Sequence, residues 1–353
     1  MGSAGIRQVA ERCALIAGLI LIGSAAAAQE WITPAACHGP AAGAAAVATP
    51  ELAPVAAADA IENARGKFWM ITSPEGRVSH LWGTLHSSER AILDLPAPVT
   101  DALRNAAVLL LESDPVAQSR TELEERALQA GVWLAPTDPA YAKSFLDPRL
   151  QPWVAARVSA VTHAPEAMAR LTDAGLAALL LGDPCEDFGA GVLPVQDMRL
   201  YLAAYEAGVP VKGLEAWDAF LTEMSQPERR DTARAIAETY GAYLNPDGFS
   251  EARAAGFDAY RRGAVGEMMG WNRLYLARFF GAEKVAKLAE LADGYMIAER
   301  NQHFLRALRA PLDAGDAFIA VGAFHLPGNR GLIGLLRAAG YRVERLATPG
   351  ETD

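Results

Sequence analysis

Only three cysteines occur in this 353-residue chain, and Cys13 opens the apolar run near the N-terminus instead of following it, as a lipid-bearing cysteine would. No cluster of roughly 5–8 basic residues offsets 42 acidic against 32 basic side chains, so nucleic acid and anionic membrane surfaces are disfavoured as partners. Beyond the N-terminus no apolar run reaches the roughly 20 residues a spanning helix needs, so no stable membrane span is expected. The sequence also has no Gly-x-Ser-x-Gly elbow, phosphate loop, dinucleotide fingerprint or His-Glu-x-x-His helix. These absences remove the serine-hydrolase, nucleotide and zincin readings that rest on such motifs.

What is present is apolar: 51% hydrophobic against 21% charged residues, enough to bury one large domain or two small ones. Residues 1–28 combine Arg7 and Arg12, the apolar stretch Cys13–Ile22 and small residues up to Ala28. That is the pattern of a cleaved secretory signal, and it predicts an exported protein, periplasmic or extracellular. Cys37 and Cys185 would then remain. In an oxidising compartment they suggest one disulfide, with two separate buried thiols as the alternative. Residues 29–62 read as an Ala/Pro-rich leader, 63–347 as the folded domain and 348–353 as a C-terminal tail.

Within the domain, Phe68–Thr72 and Val78–Trp82 flank a turn and read as a hairpin. Three stretches then share a plan. Strand Val78–Trp82 enters Gly83-Thr84-Leu85-His86, followed by a helix at Pro98–Asn105 and an apolar strand, Ala107–Leu111, ending in Glu112. Strand Ala317–Val321 enters Gly322-Ala323-Phe324-His325, followed by a helix at Arg330–Ala339 and a strand at Tyr341–Leu346. In the middle, a helix at Val195–Ala207 stops at Gly208 and a strand at Val209–Leu214 ends in Glu215. The expected fold is α/β: a mixed sheet built from two strand-GxxH-helix-strand units and a middle unit, with helical insertions at 115–180 and 226–310. Glu283–Arg309 reads as one long helix burying Val285, Leu288, Leu291 and Tyr295.

The repeated Gly-x-x-His is the most specific feature. Each copy would bring an imidazole to the carboxyl ends of the strands, where open α/β sheets bind ligands, with glycine permitting a tight exit. The same topology carries Glu112 and Glu215 to that edge. Two neutral imidazoles, His86 and His325, with one carboxylate, Glu112 or Glu215, make a ligand set for a divalent transition metal such as Zn, Mn or Co. The other carboxylate could take a proton from the bound water. Asp197 reads as an N-terminal helix cap or dipole partner, and Trp69 and Trp82 as core.

Trp82–His86, Leu214-Glu215, Glu299-Arg300-Asn301 and the block Val321–Gly328 through Gly331-Leu332, Leu335-Leu336 and Gly340-Tyr341 resemble the TraB/GumN family, related to the Tiki proteases. The resemblance spans roughly 63–347. It implies a metal-dependent hydrolytic site at His86, His325, Glu112 and Arg300, with Glu215 and Asn301 nearby, acting on a peptide or small amide. Arg300 enters through this resemblance alone, as a guanidinium for a developing oxyanion or a substrate carboxylate. Phe324 stands where many members have a small residue. The rival expectation is a noncatalytic binding protein that uses the same cleft to sequester a peptide signal or a metal-containing ligand.

Overall fold

A computed structural model describes residues 61–87, 89–114, 133–134, 144–162, 164, 166–182, 195–245 and 255–351. The signal, nearly all of the leader, Cys37, Cys185 and much of the first helical insertion lie outside them. Six strands form one sheet: β1 (Phe68–Thr72), β2 (Val78–Thr84), β3 (Val108–Ser113), β4 (Val211–Glu215), β5 (Ala317–Gly322) and β6 (Arg342–Leu346), in the order β4-β3-β5-β2-β1-β6. β2, β5, β3 and β4 pair in parallel, and β1 lies antiparallel between β2 and β6. The sheet is mixed, as the two repeated units predicted, and its four parallel strands end along a single edge.

Alternation along the strands divides the core. Trp82, Leu109, Leu111, Phe318 and Ala320 face one side, against Val99 and Leu103 of helix α1 (Ala97–Arg104) and Leu200 and Ala204 of α2 (Gln196–Ala207). Leu81, Leu110, Leu214, Ile319 and Val321 face the other side. There they meet Phe304, Leu308 and Leu312 of α3 (Arg300–Ala314) and Leu332, Ile333 and Leu336 of α4 (Leu332–Ala338). Gly208 ends α2 with φ 73°, a left-handed cap that an L side chain rarely adopts.

The expected long helix at Glu283–Arg309 is not one regular helix. Ala282–Asp293 is α-helical, Gly294–Glu299 is a π-helical turn, and α3 continues from Arg300. Its buried face also differs: Val285, Leu288, Ala292 and Tyr295 are buried, whereas Leu291 is 40% exposed. Two turns from Val285 falls at Ala292, so the apolar Leu291 sits off the stripe. Among the described residues no helix is long and apolar enough to cross a membrane.

Candidate functional site

Both motif glycines lie inside strands, and neither has positive φ. Their reason is close approach, not the tight exit anticipated. A Cβ on Gly83 would stand 2.6 Å from Leu326 Cδ1 and 3.1 Å from Ala323 Cα, so the first unit leaves room for the backbone of the second. A Cβ on Gly322 would stand 3.1 Å from a Glu112 carboxylate oxygen.

Glu112, at the end of β3, accepts the Gly322 N–H at 2.6 Å on Oε1 and Arg300 Nη2 at 2.8 Å on Oε2. Glu215, at the end of β4, receives Arg300 Nε at 3.0 Å on Oε2 and 3.3 Å on Oε1. Arg300 itself is only 8% exposed, and it leaves the π-helical turn directly into α3, at the kind of helix irregularity often found at functional positions. Glu299 beside it is held in a fork by Arg229 at 2.9 and 2.5 Å. Burial alone would raise the Glu112 carboxyl. The Arg300 guanidinium, aided by both histidines and the Gly322 N–H, overrides this and holds it well below the usual carboxylate range.

His325 sits in a 3₁₀ turn after β5, tilted against Phe304 with ring centroids 5.1 Å apart. Asn301 fixes its tautomer. The Asn301 amide donates to the His325 carbonyl at 3.1 Å and the Arg330 carbonyl at 2.8 Å, so its Oδ1, 2.7 Å from His325 Nδ1, must accept. The ring proton is therefore on Nδ1, and Nε2 presents a lone pair. That lone pair lies 3.6 Å from Glu112 Oε1, two acceptors side by side. Burial, with a smaller push from Arg300 and His86, lowers His325 to about 4 against the pull of Glu112, so the ring is neutral at pH 7.

His86 is different. Its side chain is 54% exposed, and Nε2 lies 3.1 Å from Asp197 Oδ2. It is nevertheless close enough to act electrostatically on Glu112 and His325. Asp197 makes no helix cap. Its Oδ1 accepts the Thr84 hydroxyl at 3.1 Å, and α2 is placed by its neighbour Gln196. The Gln196 carbonyl accepts Trp82 Nε1 at 3.2 Å and Leu85 N–H at 3.1 Å, and its amide donates to Ile92 O at 2.6 Å. The Tyr260 hydroxyl lies 2.8 Å from the same carbonyl and 2.7 Å from Gly83 O. Gln196 and Asp197 thus clamp the exit of β2. They escape a sequence reading because Asp197 meets Thr84 across 113 positions, with no local pattern to signal it.

Glu112, Glu215, Arg300 and His325 are thus in direct contact, and His86 stands beside them with Asp197. Asn301 joins the group through His325. His303 is exposed, and Phe324 is half-buried against the core. The model of the TraB/PrgY/gumN family matches residues 67–345. The chain belongs to the TraB/PrgY/gumN family. No curated protein matches it closely enough to add a relative. This family member carries both Gly-x-x-His units on adjacent parallel strands, β2 and β5, whose register pairs Thr84 with Gly322.

A divalent metal needs several donors within reach of one point. Among the described residues no three His, Cys, Asp or Glu side chains are gathered closely enough to hold an ion as they stand. The donors form two couplets instead, His325 with Glu112 and His86 with Asp197. Ligands about 2.0–2.2 Å from a tetrahedral zinc lie a little over 3 Å from one another, and both couplets are near that spacing. Glu112 and Glu215 face one guanidinium, and Asp197 adds a third carboxylate beside His86, so the surroundings carry excess negative charge next to a neutral imidazole. A dication fits this donor set, and binding it through both couplets requires them to draw together.

Proposed function

We propose that this family member is an exported, metal-dependent hydrolase that cleaves a peptide or a small amide. The observation carrying the reading is the His325 lone pair set against the Glu112 carboxylate, a juxtaposition of acceptors that a cation satisfies and a hydrogen bond does not. His86, Glu112 and His325 would hold the metal, a divalent transition ion such as Zn, Mn or Co. When bound, it would polarise a carbonyl and favour ionisation of water.

The chain's own groups supply the rest. Asn301 keeps the His325 proton on Nδ1, so the other nitrogen stays available for coordination. Glu215 has both oxygens on Arg300, and we assign it to orient that guanidinium in place of the general-base role expected from its strand-end position. Arg300 spends Nε and Nη2 on the carboxylates, while Nη1 has no hydrogen bond among the described residues. That donor suits a developing oxyanion or a substrate carboxylate.

A defined peptide mixture incubated with the mature protein, with and without added metal, tests the reading by mass spectrometry. Metal-dependent products that vanish in a folded His86→Ala/His325→Ala variant are expected. Binding of peptides with no product would favour the sequestering protein instead, and metal-independent cleavage retained in the double variant would overturn the assignment.

A further inference from the structure

Asp197 is the residue of this region whose contacts a helix-terminal role does not explain. The N-cap of α2 is Val195, with no side-chain cap, and Asp197 turns toward β2. One oxygen is satisfied by Thr84. The other, Oδ2, is buried and lies 3.1 Å from His86 Nε2, yet the pair lacks hydrogen-bond alignment, and Oδ2 has no hydrogen bond among the described residues. A buried carboxylate oxygen without a hydrogen bond costs stability unless something compensates it.

The position is also held firmly. Gln196, the preceding residue, is 1% exposed and binds the β2 exit and the Ile92 carbonyl, so the first turn of α2 is fixed against the Gly83–His86 segment. Placing a carboxylate on such a support gives it a defined direction before any ligand arrives. The arrangement mirrors the other motif copy, where His325 Nε2 also faces a carboxylate oxygen that it does not hydrogen-bond. In each unit the strand-exit histidine is thus matched with one carboxylate.

We infer that Asp197 Oδ2 is a fourth metal donor, paired with His86 as Glu112 is paired with His325, and that Thr84 orients it from behind. This rests on the metal-site reading above and adds a ligand to it. The ion so bound would have two imidazole nitrogens and two carboxylate oxygens, a set for Zn, Mn or Co that offsets two ligand charges.

Cobalt(II) titration of the metal-free mature protein tests this, tracking the visible absorption of the bound ion as well as affinity. Wild type should bind one ion. Asp197→Asn should keep its fold by circular dichroism, lose more than the roughly 10–100-fold affinity typical of groups that only orient ligands, and change the band shape at saturation. Thr84→Val, which keeps both carboxylate oxygens, should lose about 10-fold with the band shape unchanged. If Asp197→Asn does not fold, Thr84→Val carries the test, and unchanged affinity there overturns the inference. Identical affinity and spectrum in a folded Asp197→Asn overturn it while leaving the three-ligand reading intact. A wild type that binds no cobalt, zinc or manganese removes both.

Discussion

The two Gly-x-x-His units share a sequence pattern and adjacent parallel strands, yet they set their histidines in opposite surroundings. His325 has a side chain 5% exposed, locked by Asn301 and packed on Phe304. His86 is 54% exposed and meets Asp197 across a helix terminus. The difference lies in the path of the chain beyond each strand. After β5 the chain turns directly into a 3₁₀ segment packed against α3, whereas after β2 it is clamped by the buried Gln196 and by Asp197 and only His86 turns out toward solvent. One half of the site is thus built into the core and tied to stability, and the other half is placed at the solvent boundary, where a ligand can reach it.

That contrast can be broken most forcefully at Arg300. Arg300→Ala would leave Glu112 and Glu215 without their shared countercharge in a nearly buried place, and a loss of about 3–5 kcal/mol is expected in chemical denaturation. Next comes pH. His325 ionises near 6.5 when exposed and near 4 in the fold, so the folded state binds fewer protons between these values. Its neutral form is favoured on folding: stability is complete above about pH 6.5 and is lost as pH falls toward 4, by on the order of 3 kcal/mol in the metal-free protein. Denaturation midpoints across that window should show the slope in wild type and lose most of it in His325→Gln.

Smaller effects sharpen the same contrast. Gly83→Ala would press a methyl onto Leu326 and Ala323, where the two units touch, and should cost about 1–3 kcal/mol with a lowered melting temperature. His86→Ala should cost less, about 1 kcal/mol or below in the metal-free protein, because the ring is half exposed and its pairing with Asp197 lies at the solvent boundary. Equal losses for His86→Ala and His325→Ala would erase the distinction between a core half and a surface half.

The framework was legible in the chain because its signals are local. Apolar strands ending in Glu112 and Glu215, glycine stops such as Gly208 and the doubled motif depend on neighbours a few positions apart. The carboxyl edge of the parallel strands is then a consequence of topology, and it gathers Glu112, Glu215 and His325; Arg300, on a helix, was signalled by the family resemblance alone. What could not be read is decided by packing between distant segments. The motif glycines are needed because Leu326 and Glu112 come close, and the π-helical turn before Arg300 leaves no periodic trace that separates it from an α-helix. Asp197 had a sufficient local explanation as a dipole partner, and only the approach of α2 to the β2 exit gives it another.

The most direct measurement is the metal content of the purified protein after equilibrium dialysis against zinc, manganese or cobalt. One tightly held divalent ion per chain, lost in a folded His325→Ala variant, is the predicted result. A wild type that emerges without metal, or a His325→Ala variant that retains it undiminished, would contradict the account.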